Sequence, residues 1–280
     1  MNAQEILKKG TNRLREKKIL SPVLDAEILL SKVLNKSREY ILTNLNQKIF
    51  SKETADYMNL IERRLTNEPI AYILKKKEFW SKNFHVTYDT LIPRPETELI
   101  VDELVKKFKN KRNISILDIG TGSGCIIISL LNEIKNSKGV GIDISKKALK
   151  IAEKNARNQG VASRIKLLKK SITEYFNQKH DIIVSNPPYI NRIDIKNLTD
   201  DIKRFEPRIA LDGGNDGLDL VRKVIYKAKS ILRINGILAL EIGNRQHKKV
   251  SKLLIKNNFR IECVIKDFEY NVRCLIAKKL

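Results

Sequence analysis

Four consecutive residues, Asn186, Pro187, Pro188 and Tyr189, could hold a planar NH2 group for reaction. They follow a short apolar run that predicts a buried strand. Because proline locks φ and donates no backbone hydrogen bond, the two prolines predict a stiff turn at the carboxyl end of that strand. Asn186 offers a side-chain acceptor, Pro187 a carbonyl acceptor and Tyr189 an aromatic face. Two fixed acceptors would hold both hydrogens of an NH2 group and leave its nitrogen facing a second substrate.

A glycine-rich loop earlier in the chain could bind that second substrate. Gly120, Gly122 and Gly124 follow another predicted strand, and backbone without Cβ atoms can turn tightly and approach a ligand. The helix predicted after the loop points amide hydrogens at the ligand, which favours an anion. Asp143 ends the next predicted strand, where a carboxylate can accept both hydroxyls of a ribose. The G-x-G-x-G spacing differs from the G-x-G-x-x-G of dinucleotide sites, and no phosphate-binding lysine accompanies it.

A ribose beside a small anion describes a nucleoside that carries an amino-acid carboxylate. We therefore predict S-adenosyl-L-methionine as the cofactor. The glycine loop, Asp143 and Asn186, in this order along the chain, predict a methyltransferase.

The second part of the chain alternates strands and helices, which predicts an α/β fold with a parallel sheet. The predicted strands are 114–119, 140–142, 165–168, 182–185 and 237–241, and the pair 260–266 and 272–277 closes the sheet. The predicted helices are 125–131, 145–158, 218–231 and 246–257. A short loop joins the last two strands, so we expect them to be antiparallel.

The first part of the chain has a different pattern. Apolar residues at helical spacing predict a small all-helical domain over residues 1–70, with a role in recognition or support. From Ile70 to about Tyr88 the pattern predicts a pair of short strands that includes Ile70–Leu74, and therefore a β-hairpin linker at 71–90. The catalytic domain is expected at 91–280, where Thr97 is placed to cap a helix that begins near Leu99.

Composition limits the cellular setting. The net charge of +23 admits a nucleic-acid partner, but the lysines are spread along the whole chain, and a lysine-rich proteome would give the same total. Three cysteines without CxxC spacing favour a reducing cytosol and argue against disulfides or a zinc site. The first residues lack the apolar segment of a signal peptide, and no apolar run is long enough to span a membrane. We expect a cytoplasmic protein.

These motifs together resemble the protein-(glutamine-N5) methyltransferases of class-I peptide chain release factors, the HemK or PrmC family. The resemblance rests on residues 69–73, 78–80, 91–98, 118–124, 186–189, 206–207 and 211–217. It implies a Rossmann-like class I S-adenosylmethionine-dependent sheet and an N-terminal helical domain that helps grip the release factor. It also implies methylation of the glutamine in the Gly-Gly-Gln loop of that partner, which supports translation termination.

The resemblance also assigns roles to residues. The cofactor-binding positions would be Gly120, Thr121, Gly122, Ser123, Gly124, Asp143 and Asn186. The glutamine pocket would be formed by Asn186, Pro187, Pro188 and Tyr189, of which Asn186, Pro187 and Tyr189 would be catalytic. The family usually has an acidic residue after the third strand to reach the adenine, whereas this chain has Lys169-Lys170-Ser171, so Ser171 is the candidate there. Lys75 stands where a glycine is usual.

An amide nitrogen is a poor nucleophile, and no strong base stands out in the sequence. We therefore expect catalysis by orientation of the NH2 group, with neither a metal nor a covalent enzyme intermediate. Two other functions remain open: a DNA adenine-N6 methyltransferase, which uses the same Asn-Pro-Pro-Tyr chemistry on a flipped base, and a non-catalytic basic RNA-binding protein. The first lacks a large insertion to read DNA, and the intact site argues against the second. We expect a monomer that needs no nucleic acid and no membrane.

Overall fold

The computed structural model describes residues 1–176 and 178–280. These residues form two compact units, one of Met1–Lys76 with Thr199–Phe205 and one of Lys77–Leu198 with Glu206–Leu280. Each unit has its own buried apolar residues. The domain bounds 1–70, 71–90 and 91–280 remain predictions.

Helices dominate the first unit. They are α1 (Ala3–Glu16), α2 (Pro22–Leu34), α3 (Arg38–Thr43), α4 (Ser51–Leu65) and α5 (Ile70–Leu74). Asn2 caps α1 by accepting a hydrogen bond from the Glu5 N–H at 2.9 Å. The apolar faces of these helices meet in one core, to which α1 contributes Ile6 and Leu14 and α4 contributes Tyr57. The helical period read from the sequence is confirmed here.

The segment Ile70–Leu74 is a helix, so the prediction of a strand at these residues is wrong. Pro69 precedes the helix in an extended conformation, and Lys75 ends it with a φ of 55°. Tyr72 and Ile73 are buried. Periodicity alone cannot distinguish one helical turn from a strand in a five-residue apolar run, and the residues at its two ends decide the structure.

A β-hairpin opens the second unit. Strand β1 (Lys77–Phe79) pairs antiparallel with β2 (Lys82–Phe84). Trp80 and Ser81 connect them with φ values of 52° and 53°, the left-handed pair that a two-residue hairpin turn requires. The Trp80 N–H donates to Glu98 Oε1 at 2.8 Å. The predicted hairpin is confirmed, although it begins at Lys77.

A mostly parallel sheet forms the centre of the second unit. Its strands are β3 (Ile114–Ile119), β4 (Ser137–Asp143), β5 (Ile165–Lys169), β6 (His180–Ser185), β7 (Leu232–Glu241), β8 (Phe259–Lys266) and β9 (Val272–Lys279). Their order across the sheet is β5-β4-β3-β6-β7-β9-β8, and β9 runs antiparallel to both β7 and β8. The predicted α/β sheet with an antiparallel closing pair is confirmed. The order reverses at β3, so the loops after β3 and β6 lie side by side, where open sheets bind ligands.

Helices cover both faces of this sheet. They are α6 (Glu98–Phe108), α7 (Cys125–Glu133), α8 (Lys146–Asn158), α10 (Asp219–Ile231) and α11 (His247–Lys256), while α9 (Asp200–Phe205) belongs to the first unit. Residues of α6, α7 and α8 pack on one face, and residues of α10 and α11 pack on the other. Burial on both faces explains the continuous apolar runs of the strands.

Across residues 1–176 and 178–280, no helix combines the length and the apolar character that crossing a bilayer requires.

Candidate active site

A cavity of about 270 Å³ opens at the carboxyl edge of the sheet. Parallel strands end at the same edge, so the loops after β3, β4, β5 and β6 all contribute to its wall. The predicted site residues that line it are Gly120, Thr121, Gly122, Ser123, Asp143, Ser171, Asn186 and Pro188. Motifs that are far apart in the sequence therefore meet around one space.

The glycines of the glycine loop have two different structural roles. Gly120 has a φ of 71°, and a Cβ placed on it would meet no atom within 4 Å, so its backbone borders open space. Gly124 has a φ of 80°, and a Cβ there would lie 2.7 Å from Ile128 Cδ1 and 3.2 Å from Ala152 Cβ. Gly124 is not among the residues that line the cavity. It allows α7 and α8 to approach each other closely.

Asp143 ends β4 with its carboxylate held by two backbone amides. Oδ2 accepts from the Gly122 N–H at 2.9 Å, and Oδ1 accepts from the Ser145 N–H at 2.8 Å. Each carboxylate oxygen has a second acceptor position, which two neighbouring hydroxyls of a ribose can use. The open backbone at Gly120 and this fixed carboxylate fit S-adenosylmethionine.

Asp118 lies under the same loop at the end of β3. Its Oδ2 accepts from Thr121 Oγ1 at 2.7 Å, while its buried Oδ1 has no hydrogen-bond partner among the described residues. Burial raises the pKa of Asp118 to about 7, and the nearby Asp143 charge acts in the same direction.

The expected adenine side of the cavity is mainly apolar. Ser171 and Lys170 line it, and the Ser171 hydroxyl lies 2.9 Å from Thr173 Oγ1. The apolar side chains on this wall are Ile142, Ile144, Ile172 and Leu220. A planar base would therefore be bound chiefly by contact with apolar surface, with Ser171 as a polar group beside it.

The Asn-Pro-Pro-Tyr turn follows β6 directly, and its residues face different surroundings. Asn186 and Pro188 line the cavity, whereas Pro187 is buried. Tyr189 lines a neighbouring pocket, and its hydroxyl donates to Glu241 at 3.4 Å. Burial raises the pKa of the Tyr189 hydroxyl above its ordinary value. The Tyr189 hydroxyl therefore points into the protein, toward a carboxylate.

A second glycine-containing segment supports this turn from the side. The Ile190 N–H donates to the Leu211 carbonyl at 3.1 Å, and the Gly213 N–H donates back to the Ile190 carbonyl at 2.8 Å. A Cβ on Gly217 would lie 2.4 Å from the Tyr189 carbonyl oxygen. Only glycine allows the two segments to be this close. The motif 211–217 therefore fixes the turn that follows β6.

Two residues at the site were not predicted from the sequence, Thr97 and Glu241. The Thr97 hydroxyl donates to Glu241 Oε2 at 2.6 Å and accepts from Asn186 Nδ2 at 3.2 Å. Thr97 precedes α6 but makes no side-chain cap bond, so its predicted capping role is wrong. Burial raises the pKa of Glu241 to about 7, opposed by the Thr97 hydrogen bond. The sequence does contain a signal for Glu241, because this carboxylate ends the predicted buried strand 237–241, at the edge where open sheets bind ligands.

The loop before α6 is fixed by an ion pair. Arg94 contacts Glu206 Oε1 at 2.5 Å, and Glu206 Oε2 also accepts from the Ile92 N–H at 3.3 Å. The Glu206 side chain is buried. This ion pair therefore holds the Arg94 side chain in place. The sequence alone did not distinguish this role from that of a solvated arginine.

Comparisons with known proteins agree with this architecture. A family model described as a methyltransferase domain matches residues 110–275, and a PrmC N-terminal domain model matches residues 5–74. A crystal structure of a methyltransferase from Pyrococcus furiosus superposes with a TM-score of 0.55 at 19% identity, covering 79% of this chain and 98% of that chain. The sheet order and the matching domain model together give this chain the fold of the class I S-adenosylmethionine-dependent methyltransferases.

A relative of matching length identifies the family within this class. The release factor glutamine methyltransferase of Clostridium botulinum is 37% identical and is aligned over 100% of both chains. The chain belongs to the release factor glutamine methyltransferase family.

Some relatives are longer than this chain. The bifunctional methyltransferase of Rickettsia felis is 38% identical over 98% of this chain, but the match covers 57% of that protein. The chain therefore spans little more than half of the length of these relatives.

Proposed function

We propose that this protein methylates the side-chain amide nitrogen of the glutamine in the Gly-Gly-Gln loop of class-I peptide chain release factors. The observation that carries the proposal is the position of Asn186, whose side chain borders the cavity behind the glycine loop. Its Nδ2 donates to Thr97, and its Oδ1 makes no hydrogen bond to any described residue. An unengaged amide acceptor at this point suits a substrate that presents two N–H hydrogens.

S-adenosylmethionine, when bound, supplies a methyl group on a positively charged sulfur that a nucleophile can attack. Asp143 and the backbone at Gly120 and Gly122 would hold it, with Ser171 beside the base. Asn186 Oδ1 and the Pro187 carbonyl oxygen would each accept one hydrogen of the glutamine NH2 group. These bonds orient the nitrogen, and orientation of this kind contributes on the order of 7–11 kcal/mol in favourable systems.

The same acceptors favour the transition state over the bound amide. As the nitrogen forms a bond to the methyl group and the bond from that group to sulfur breaks, the nitrogen becomes positive and its hydrogens become stronger donors. Asn186 and Pro187 therefore stabilise the charge that develops. One of these hydrogens then leaves as a proton, which gives the neutral N-methyl amide. The buried histidine of the sheet is not placed as a base, because His180 begins β6 whereas Asn186 follows its end. Burial lowers the pKa of His180 to about 4, so this imidazole is neutral at physiological pH.

The partner is inferred from the relatives. The full-length match to a protein named for release factor glutamine methylation supports glutamine as the acceptor over adenine in DNA, and the cavity argues for an enzyme over an RNA-binding protein. The helical segment that matches the PrmC N-terminal domain model would contact the release factor. Action in translation termination, in the cytoplasm and as a monomer, would follow from this role.

Transfer of a radiolabelled methyl group from S-adenosylmethionine tests the proposal. The purified protein is incubated with a class-I release factor, with the same factor carrying alanine for the loop glutamine, and with duplex DNA. We expect label only in the unaltered release factor, with mass spectrometry placing one methyl group on the glutamine. Label on adenine would overturn the glutamine assignment and leave the fold and the cofactor in place.

A further inference from the structure

A chain of buried hydrogen bonds runs away from Asn186 into the protein. Asn186 Nδ2 donates to Thr97 Oγ1 at 3.2 Å, and Thr97 Oγ1 donates to Glu241 Oε2 at 2.6 Å. The side chain of Thr97 is 2% exposed and that of Glu241 is 1% exposed. Tyr189 donates to the other oxygen of the same carboxylate at 3.4 Å. One buried carboxylate thus anchors two residues of the Asn-Pro-Pro-Tyr turn.

The sheet brings these residues together. Ser185 at the end of β6 pairs with Leu240 of the parallel neighbour β7, so the next residues, Asn186 after β6 and Glu241 at the end of β7, lie side by side at the edge of the sheet. Thr97 enters between them at the end of the short turn Pro95–Thr97. Strand register therefore fixes Asn186 beside Glu241, and the turn Pro95–Thr97 supplies the hydroxyl between them.

The chain of hydrogen bonds has one direction. Above about pH 7, where Glu241 is ionised, its carboxylate can only accept, so the Thr97 hydrogen must point at Glu241. The lone pairs of Thr97 then face Asn186 and can be satisfied only by a donor, which is the Asn186 NH2 group. With Nδ2 used in this way, Oδ1 is turned to the opposite side, toward the cavity.

We propose that Glu241 and Thr97 are positioning residues that fix the Asn186 carboxamide with its oxygen toward the substrate nitrogen. An asparagine amide can rotate by half a turn at little steric cost, and the rotated form would present a donor to a substrate that is itself a donor. The buried carboxylate excludes that form. This inference rests on the proposed function, since it assumes a substrate with an NH2 group.

Isosteric substitutions test it. Glu241→Gln keeps the volume but supplies an NH2 group that can donate to Thr97, which lets the hydroxyl point at Asn186 and stabilises the rotated amide. Thr97→Val keeps the shape and removes the hydroxyl, whereas Thr97→Ser keeps the hydroxyl and removes a methyl group. At pH 8, we expect kcat for methylation of the release factor to fall about tenfold or more in Glu241→Gln and Thr97→Val and to be largely retained in Thr97→Ser.

The matched control is Glu133→Gln, which removes a carboxylate that accepts the Trp80 indole hydrogen bond and does not line the cavity. It should leave kcat unchanged. Calorimetry should give the wild-type affinity for S-adenosylmethionine in all four single variants, Glu241→Gln, Thr97→Val, Thr97→Ser and Glu133→Gln. The double variant Glu241→Gln/Thr97→Val should be no slower than the slower single variant, because both changes release the same amide.

A second measurement does not depend on the substrate. In a 15N-labelled protein, the Asn186 side-chain NH2 signals are assigned by their loss in Asn186→Ala. We expect slow hydrogen exchange of these signals in the wild type and in Thr97→Ser, and faster exchange in Glu241→Gln and Thr97→Val. Equal kcat and equal exchange in the wild type and Glu241→Gln would overturn the inference. If the wild type fails to label any release factor but the exchange pattern is as expected, the proposed function fails and the positioning stands.

Discussion

The two ends of the Asn186 side chain do different chemistry. Nδ2 donates to Thr97 inside the protein, whereas Oδ1 makes no hydrogen bond to a described residue and is the proposed acceptor. The residue therefore cannot be replaced by a group that only accepts or only fills space. This asymmetry leads to a test of the proposed acceptor role.

Replacing Asn186 with alanine should lower kcat for methyl transfer by about 100-fold or more, since the NH2 group loses one of its two acceptors. Asn186→Asp is the sharper change, because it keeps the acceptor and loses the donor to Thr97. We expect both variants to lose more in kcat than in affinity for S-adenosylmethionine by calorimetry, because Asp143 and the glycine loop keep their cofactor contacts. A fully active alanine variant would remove Asn186 from the mechanism.

Asp143 is expected to act on the cofactor alone. Asp143→Ala removes a charged acceptor for hydroxyl groups, which costs about 1.5–3 kcal/mol of binding free energy. This corresponds to a loss of affinity for S-adenosylmethionine of roughly 10- to 150-fold. Because Asp143 also accepts from Gly122 and Ser145, the melting temperature of the unliganded variant is the control. Unchanged affinity in calorimetry would contradict the ribose assignment.

Lys75, at the end of helix α5, occupies a backbone position that suits glycine. It ends α5 with a φ of 55°, a left-handed conformation in which a side chain costs roughly 1 kcal/mol. The resemblance of the sequence to its family indicated a glycine at this position, and the backbone supplies the physical reason.

Lys75→Gly should therefore raise the free energy of unfolding by up to about 1 kcal/mol, reduced by the greater entropy of glycine in the unfolded chain. Lys76→Gly is the matched control, because Lys76 is not among the residues with positive φ and gains no relief of strain. Urea unfolding measures both. Stabilisation of the same size in both variants would mean that strain at Lys75 is not the cause.

Sequence patterns predicted the long elements of the sheet and its ligand-binding edge. The strand 114–119 was predicted at its observed bounds, and Asp143 and Asn186 meet at one cavity as their positions after strands indicated. Short segments were harder: the turn Ile70–Leu74 has no decisive period, and its structure depends on Pro69 and Lys75. The network through Thr97 could not be predicted, because three segments that are distant in sequence form it only when the sheet is assembled.

Buried carboxyl groups make the stability of the whole protein depend on pH. Burial raises the pKa of Glu241 from an ordinary 4.5 to about 7. Between these values the folded protein holds a proton that the unfolded chain has lost. The stability from this proton is complete below about pH 4.5 and is lost as pH rises through 7. The shift corresponds to roughly 3 kcal/mol.

The free energy of unfolding of Glu241→Gln, measured with urea, should therefore fall less between pH 5 and pH 8 than that of the wild type. Asp118 contributes the same dependence to both proteins, and His180, whose pKa burial lowers to about 4, contributes the opposite one to both. These contributions cancel in the comparison. Parallel stability curves for the two proteins would show that Glu241 has an ordinary pKa.

The two compact units predict separable tasks. A chain that begins at Lys77 keeps the glycine loop, Asp143 and Asn186, which all belong to the second unit. It should bind S-adenosylmethionine and methylate a short peptide containing Gly-Gly-Gln, and it should methylate an intact release factor at least about tenfold more slowly than the full chain, a loss of about 1.4 kcal/mol in recognition. Equal rates on the intact factor would contradict a recognition role for the helices.

The hydrogen-bond chain from Asn186 also sets the order in which the molecule can mature. Thr97 lies before the sheet, Asn186 follows its fourth strand in sequence and Glu241 ends the fifth, so the network joins contacts of long sequence separation. Such contacts form late, because their closure entropy must be overcome first. A refolding chain that has paired β3, β4 and β5 would have the glycine loop and Asp143 in place while its Asn186 is still free to rotate. We therefore expect refolding to restore cofactor binding before it restores methyl transfer.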